Sequence, residues 1–296
     1  MITIGLINYI NTIPFQHGLA ERMAGADVKF VRGVPSDLNR ALAAGEVDVA
    51  PISSIAAAMM ADRVAILPGL SIASLGAVKT VLLLSWSADP RELGGQPIAL
   101  TNEAVTSVAL LKLLCRERYH IEPDFRTVPQ NPAAMLRANQ AALVIGDTAL
   151  IEASQHRMLV DSKGETRRPF IIDLGDEWLK HTDLPFVFAL WAVRREAVQE
   201  VIDSNLSAAL LASKKSGLAA VDALAAEYAP QLDLPVGLIA RYLRDLRYDL
   251  TEWDRSGLKH FLDSTLGEER SPLDYLPMPG GSAISAPATT PLATRP

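Results

Sequence analysis

The sequence predicts an α/β fold of two lobes, set as a clamshell and joined by two crossover strands. Three observations predict it. Strand and helix patterns alternate over the first 70 residues, the signature of a parallel sheet with helices packed on it. A second series of the same kind begins afresh at Pro97. Two apolar runs, Val78–Ser85 and Pro185–Val193, stand where the chain would leave the first lobe and return to it.

Met1–Ile7 is apolar and β-branched, the pattern of a buried strand, and it ends in Asn8-Tyr9-Ile10-Asn11-Thr12-Ile13-Pro14-Phe15. An amphipathic stretch (Phe15, Leu19, Met23) comes next. Val28–Val31 reads as the second strand. A helix then starts at Pro35 or Ser36 and stops at Gly45. Val47–Ala50 is a third strand, Ser53-Ser54 introduces an Ala/Met-rich helix, and Ala65–Pro68 is a fourth strand. Leu70–Ser74 and Val78–Ser85 are two further strand-like runs, separated by Leu75-Gly76-Ala77.

In the second series, Ile98–Leu100 is a strand, and Thr101, Asn102, Thr106 and Ser107 precede a helix from Val108 to about Arg118. Phe125–Val128 is a strand and Asn131-Pro132 opens the next helix. Ala142–Ile145 is a buried strand stopped by Gly146-Asp147, before a helix over Thr148–Ser154 and a strand at Phe170–Leu174. From Glu196 to Phe261 the spacing is helical, with a break bracketed by Pro230 and Pro235. Residues 1–86 with 192–276 therefore make one lobe and 87–191 the other. Residues 277–296, rich in Pro, Gly, Ser, Ala and Thr, are expected to be a disordered tail. A ligand would bind between the lobes, with hinge closure excluding water. This is the architecture of type II periplasmic binding proteins.

Composition narrows the function. The 296 residues are 49% apolar with a net charge of -6, which argues against nucleic-acid and anionic-membrane partners. Cys115, the single cysteine, sits on an apolar helical stretch and reads as a buried structural thiol. The five histidines show no metal-ligand spacing, and GxGxxG, Walker A and GxSxG sequences are missing. No metal and no organic cofactor is expected. Without a signal-type N-terminus or a membrane-length apolar run, a cytoplasmic location is expected.

The remaining candidates are polar residues at strand ends, where open α/β sheets hold their ligands. Asn11 and Thr12 fit either a ligand loop or a helix cap, and Ser53 and Ser54 fit the same two roles. Thr106 and Ser107 stand where a helix N-terminus presents free N–H groups to a carboxylate, and can cap as well. Lys79 is a basic residue at the first crossover or a solvated charge. Asp147 either caps the next helix or faces the cleft.

In order and spacing, these motifs resemble the chorismate dehydratase family of the futalosine route to menaquinone. The matching stretches are Asn8–Pro14, Leu42–Ala50, Ser71–Val81, Thr106–Val108, Ile145–Leu150, Asp173–Trp178 and Leu184–Trp191. Tyr242-Leu243, Tyr248–Leu250 and Gly257-Leu258 follow, so the resemblance runs from about residue 2 to 262. The chain has Leu75, Ala77, Lys79 and Thr80 where the family pattern has an acidic residue, proline, arginine and serine. An exchange of Arg for Lys gives up bidentate carboxylate recognition.

The resemblance implies a lyase of the hydro-lyase type, with a small dicarboxylate substrate, chorismate, dehydrated to 3-[(1-carboxyvinyl)oxy]benzoate. It implies that Asn11 contacts substrate and that Ser74 or Thr80 at the first crossover does likewise. Thr12, Ser54 and Lys79 complete the expected first-lobe contacts, and Thr106 with Ser107 would grip a carboxylate. The proton acceptor is either Asp147 or the enolpyruvyl carboxylate of the substrate itself. Two alternatives stand beside this reading. One is 1,4-dihydroxy-6-naphthoate synthase of the same pathway, whose usual Ser-Pro-Cys-Pro-Asn-Asp-like opening is replaced here by Asn8–Thr12. The other is a non-catalytic cytoplasmic binding protein for a small carboxylate.

Overall fold

The computed structural model describes residues 1–279. Strands β1 (Ile2–Ile7), β2 (Val28–Gly33), β3 (Val49–Ser53) and β4 (Val64–Ser74) open the chain. They are followed by β5 (Val81–Ser85), β6 (Pro97–Thr101), β7 (Asp124–Val128) and β8 (Ala141–Ile145). A short hairpin, β9 (Leu159–Val160) with β10 (Thr166–Arg167), precedes β11 (Phe170–Asp173), and β12 (Phe186–Arg194) carries the chain back. One five-stranded sheet has the order β2-β1-β3-β12-β4 and the other β11-β5-β8-β6-β7. Within the first, β1 is parallel to β2 and β3, while β12 runs antiparallel to both of its neighbours. Within the second, β6 is parallel to β7 and β8, and β5 is antiparallel to β8 and β11.

Helices fill the connections. Broken at Gly18, α1 (Ile13–Gln16) and α2 (Leu19–Arg22) follow β1, and α3 (Pro35–Ala44) and α4 (Ser54–Met59) follow β2 and β3. In the second lobe, α5 (Val105–Leu114), α6 (Pro132–Ala138), α7 (Gly146–Gln155) and α8 (Leu174–Thr182) follow β6, β7, β8 and β11. The C-terminal part comprises α9 (Val198–Asp203), α10 (Leu206–Ala219), α11 (Val221–Leu232), α12 (Val236–Asp245) and α13 (Glu252–Leu266). Trp178 of α8, Phe186 of β12 and Phe261 of α13 meet edge to face at the return crossover, with Phe186–Phe261 centroids 4.7 Å apart. Packing three rings from three elements there stiffens the junction between the lobes.

Sheet pairing corrects the expected organisation in four places. The strands read as Ala65–Pro68 and Leu70–Ser74 are one strand, β4, because Gly69 takes a positive φ of 66° that a Cβ-bearing residue would resist, and the ladder to β12 continues past it. Both lobe boundaries move. β5 pairs in the second sheet and β12 in the first, so the chain changes lobes before residue 81 and again before 186, not at 86 and 192. The stretch 196–261 is interrupted not only between α11 and α12, near the expected break, but again between α12 and α13. Arg247, between α12 and α13, pairs with Ala73 of β4 instead. Of the tail expected from 277, residues 280–296 lie outside the described residues, while Met278 packs against Gly69.

The segment after α13 also returns to β4. Ile66 N–H donates to Asp274 O at 2.7 Å, and Leu276 N–H donates to Ile66 O at 2.9 Å. The far end of β4 is covered by the Arg247–Tyr248 turn. No helix among the described residues is long and apolar enough to cross a membrane.

Candidate functional site

The carboxyl ends of β1, β3, β6 and β8 converge between the lobes, around a narrow cavity that, with the space at its open mouth, takes in about 570 Å³. Its apolar walls include Pro35, Ile72, Val78, Val81, Ile145 and Phe188. Its polar groups are Tyr9, Asn11, Ser53, Thr80, Thr106 and Ser107. No Asp, Glu, His, Lys or Arg lines it among the described residues.

Asn11 stands in a single turn of 3-10 helix, Ile10–Thr12, that the chain makes at once after β1. Its Oδ1 is buried without a hydrogen-bond partner, which is costly for an amide unless the site supplies one. Its amide also lies beside the hydroxyl of Tyr242, a fully buried side chain on α12. The same hydroxyl is 3.1 Å from Thr80 Oγ1. Burial, foremost, raises the Tyr242 phenol well above its usual range, so it stays protonated and acts as a neutral hydrogen-bonding post between Asn11 and Thr80.

Ser53 is the N-cap of α4, its Oγ accepting from Ala56 N–H at 3.4 Å and from Asn39 Nδ2 at 3.2 Å. Both contacts use its lone pairs, and its own proton remains free for the cavity. From the second lobe come the first turns of α5 and α7, neither of which has a side-chain cap among the described residues. The leading N–H groups of α5 and the positive ends of both dipoles favour negative charge, while Gly146 N–H at the head of α7 is already donated to Thr80 O at 2.9 Å. Ser107 faces the cavity beside them. Thr106 does so while its Oγ1 accepts Ile55 N–H of α4 at 3.0 Å, across the lobes.

Five of the expected contacts are placed elsewhere. Thr12 shares its one proton between Ile7 O and Tyr9 O, both at 2.9 Å, and shapes the turn. Ser54 donates to Val187 O at 2.6 Å and points into the core. Its neighbour Ser53 takes the cavity side, because side chains alternate as β3 ends. Ser74 donates to Gly76 O at 2.9 Å within the crossover turn. Lys79 takes a positive φ of 64°, which turns its side chain outward onto Asp245. Asp147 lies behind Gly146 in the first turn of α7, with Oδ1 accepting Ile10 N–H at 3.1 Å. Burial pushes its carboxyl up to about 6, against the lowering effect of that N–H.

Sequence reasoning passes over Glu103 and Gln130, takes Gly146 as the stop of a buried strand, and reads Tyr242 only as part of an apolar helix face and of a matching stretch. Glu103 and Gln130 follow β6 and β7, and the strand-end rule that singled out Thr106 reaches them too. Tyr242, far along the chain on an amphipathic helix, gave no local signal. Cys115 is buried and its thiol pushed up to about 12 by burial, consistent with a packing role.

A family model described as menaquinone biosynthesis matches residues 2–265. A chorismate dehydratase of Thermus thermophilus is 35% identical over 280 residues, covering 92% of this chain and 97% of that protein. Among solved structures, a protein from Archaeoglobus fulgidus superposes with a TM-score of 0.63 at 22% identity, over 89% of this chain and 96% of that one. A Candida albicans gene product described as having the generic periplasmic binding protein fold gives 0.63 at 13% identity, over 92% of each chain. The alkanesulfonate-binding protein of Xanthomonas axonopodis pv. citri gives 0.53 at 18%, over 88% and 91%. At these identities the solved structures speak for the fold: this is a periplasmic-binding-protein-like clamshell.

Proposed function

The chain belongs to the menaquinone-biosynthesis family, and from that premise we propose that it is a chorismate dehydratase. The reaction removes water from chorismate to leave 3-[(1-carboxyvinyl)oxy]benzoate. The bond from ring carbon to hydroxyl breaks, the neighbouring ether-bearing carbon loses its proton, and the electron pair of that C–H bond completes the aromatic ring. Proton and hydroxide leave together as water. Aromatisation drives the step, and the ring carboxylate acidifies the departing proton through the conjugated double bond. The protein's task is to hold two carboxylates, align the two departing groups and exclude water.

The observation that carries this reading is a cavity between the lobes with apolar walls, neutral polar groups and helix N-termini. An apolar slot suits a flat ring that becomes aromatic. The first turn of α5, with Thr106 and Ser107, supplies N–H and O–H donors for one carboxylate without a counter-cation. Asn11 and Thr80, both held against Tyr242, are placed to orient the ring and hydrogen-bond the departing hydroxyl. The cavity lining has no carboxylate or imidazole among the described residues, and Asp147 Oδ1 is already engaged by Ile10 N–H. Both facts favour the enolpyruvyl carboxylate of the substrate as proton acceptor, with Asp147 the alternative.

The test is incubation of the purified protein with chorismate, following ultraviolet absorbance and product mass. A product lighter by one water and aromatic in its absorbance is expected. No product across the pH range, with chorismate nonetheless bound, would assign the protein to carboxylate binding instead.

A further inference from the structure

Beside the cavity lies a hydrogen-bonded set that the chemistry above does not use. The Tyr9 ring rests on Gly146, where an added Cβ would come within 2.7 Å of Cζ and 2.8 Å of Cε1 and Cε2. Any side chain at 146 would drive the ring away, and the positive φ of 64° there also favours glycine. Across the gap between the lobes, the Tyr9 hydroxyl donates to Glu103 Oε2 at 2.7 Å. Glu103 is held in turn. Gln130 Nε2 donates to the same oxygen at 3.2 Å, and Gln130 is clamped to the end of β8, giving Nε2 to Ile145 O at 3.2 Å and taking Ile145 N–H at 2.8 Å.

The two partners have telling neighbours. Tyr9 is two residues before Asn11 and caps the 3-10 turn that carries it. Glu103 directly precedes the N-cap of α5, whose first turn carries Thr106 and Ser107. One charge-assisted hydrogen bond therefore ties together the two loops that bear the polar groups of opposite lobes.

We propose that Tyr9 is a positioning residue. Its bond to Glu103 is the latch that sets the separation of Asn11 from the α5 first turn when the lobes close, and its ring seals the cavity over Gly146. The proposal rests on the dehydratase reading for its effect on turnover, but not for the latch itself. Loosening the latch leaves Asn11, Thr106 and Ser107 present but out of register, so kcat suffers more than KM.

The test is a double-mutant cycle on the full chain. Tyr9→Phe keeps the ring and drops the hydroxyl. Its kcat/KM is expected to fall about tenfold or more, mostly in kcat, with an unchanged thermal midpoint. Glu103→Ala should match it, Glu103→Gln, which still accepts a hydrogen bond, should stay within about threefold of wild type, and the double variant Tyr9→Phe/Glu103→Ala should be no worse than either single change. Hydrogen exchange of the amides at 8–13 and 103–107 should rise in Tyr9→Phe, a readout that needs no chorismate. If the wild type makes no product, the dehydratase reading falls and exchange alone decides the latch. Additive losses in the cycle, or a Tyr9→Phe protein within about twofold of wild type with unchanged exchange, would overturn the proposal.

Discussion

The two lobes face the same cavity with different chemistry. The first offers side chains whose orientation is fixed by distant partners. Asn11 and Thr80 lean on Tyr242 of α12, and Ser53 is braced by Asn39 of α3. The second offers backbone, the uncapped first turn of α5 with its Thr106 and Ser107. Side-chain donors and acceptors held in a fixed orientation suit a group whose charge changes during a reaction, such as a departing hydroxyl. Helix N-termini suit a charge that is the same before and after it. The difference predicts that, among the groups lining the cavity, first-lobe substitutions act on turnover and second-lobe substitutions on binding.

The largest expected effect is at Asn11. Asn11→Ala should lower kcat by roughly 10²–10³-fold while the melting curve stays in place, because its amide oxygen is already unpartnered in the fold. Steady-state kinetics beside calorimetry checks this, and wild-type turnover would remove the first lobe's claim to the chemistry. Ser107→Ala sharpens the other half. KM should rise about tenfold with kcat nearly unchanged, the signature of an interaction equal in ground and transition states. If kcat fell instead, the division of labour would be wrong.

Asp147 is a second-lobe residue that tests the contrast by pH. Its carboxyl is pushed up to about 6 by burial, so the folded protein holds that proton more tightly than the unfolded chain does. The contribution to stability is present below the unfolded value near 4 and is lost as pH rises through about 6, by at most about 3 kcal/mol. Asp147→Asn keeps an acceptor for Ile10 N–H and should flatten stability between about pH 4 and 6, gaining on wild type above that window. Melting at several pH values reads this directly. Turnover within about threefold of wild type would leave the substrate as its own base, whereas a collapse of kcat would assign the proton to Asp147. The smallest effect is expected at Lys79. Its pair with Asp245 is at the surface, so Lys79→Ala should change kcat/KM less than about twofold and stability by about 0–1 kcal/mol.

Much of this was legible from strand ends. Asn11, Thr106 and Ser107 stand out from position alone and Thr80, beside Ser74, from the family resemblance; all four of Asn11, Thr80, Thr106 and Ser107 line the cavity. The reason is general, since a sheet's carboxyl edge is where backbone donors and loop side chains converge. The misplacements share another cause. Whether a hydroxyl faces a cleft or satisfies a nearby carbonyl depends on turn geometry, and Thr12, Ser54 and Ser74 each found a carbonyl. Lys79 was read by charge, but the backbone at that residue points it away. Lobe membership of β5 and β12 follows from which strand each pairs with, a non-local fact that an apolar run does not encode. Tyr242 is hidden for the same reason, because it meets Thr80 only when the C-terminal helices pack back.

The return of residues 274–276 to β4 bears on how the protein keeps its own company. β4 is the longest strand among the described residues and an edge of its sheet, and an unpaired apolar edge invites another chain to extend it. The Asp274–Leu276 segment occupies the ladder at Ile66, and the Arg247–Tyr248 turn occupies it at Ser71 and Ala73, so that side is blocked piecemeal. The opposite edge, β2, has no such cover among the described residues but carries exposed Lys29 and Arg32, whose charge deters a like strand from docking. One edge is shielded by chain and the other by charge, and the sheet that carries Asn11 is kept from polymerising on both sides.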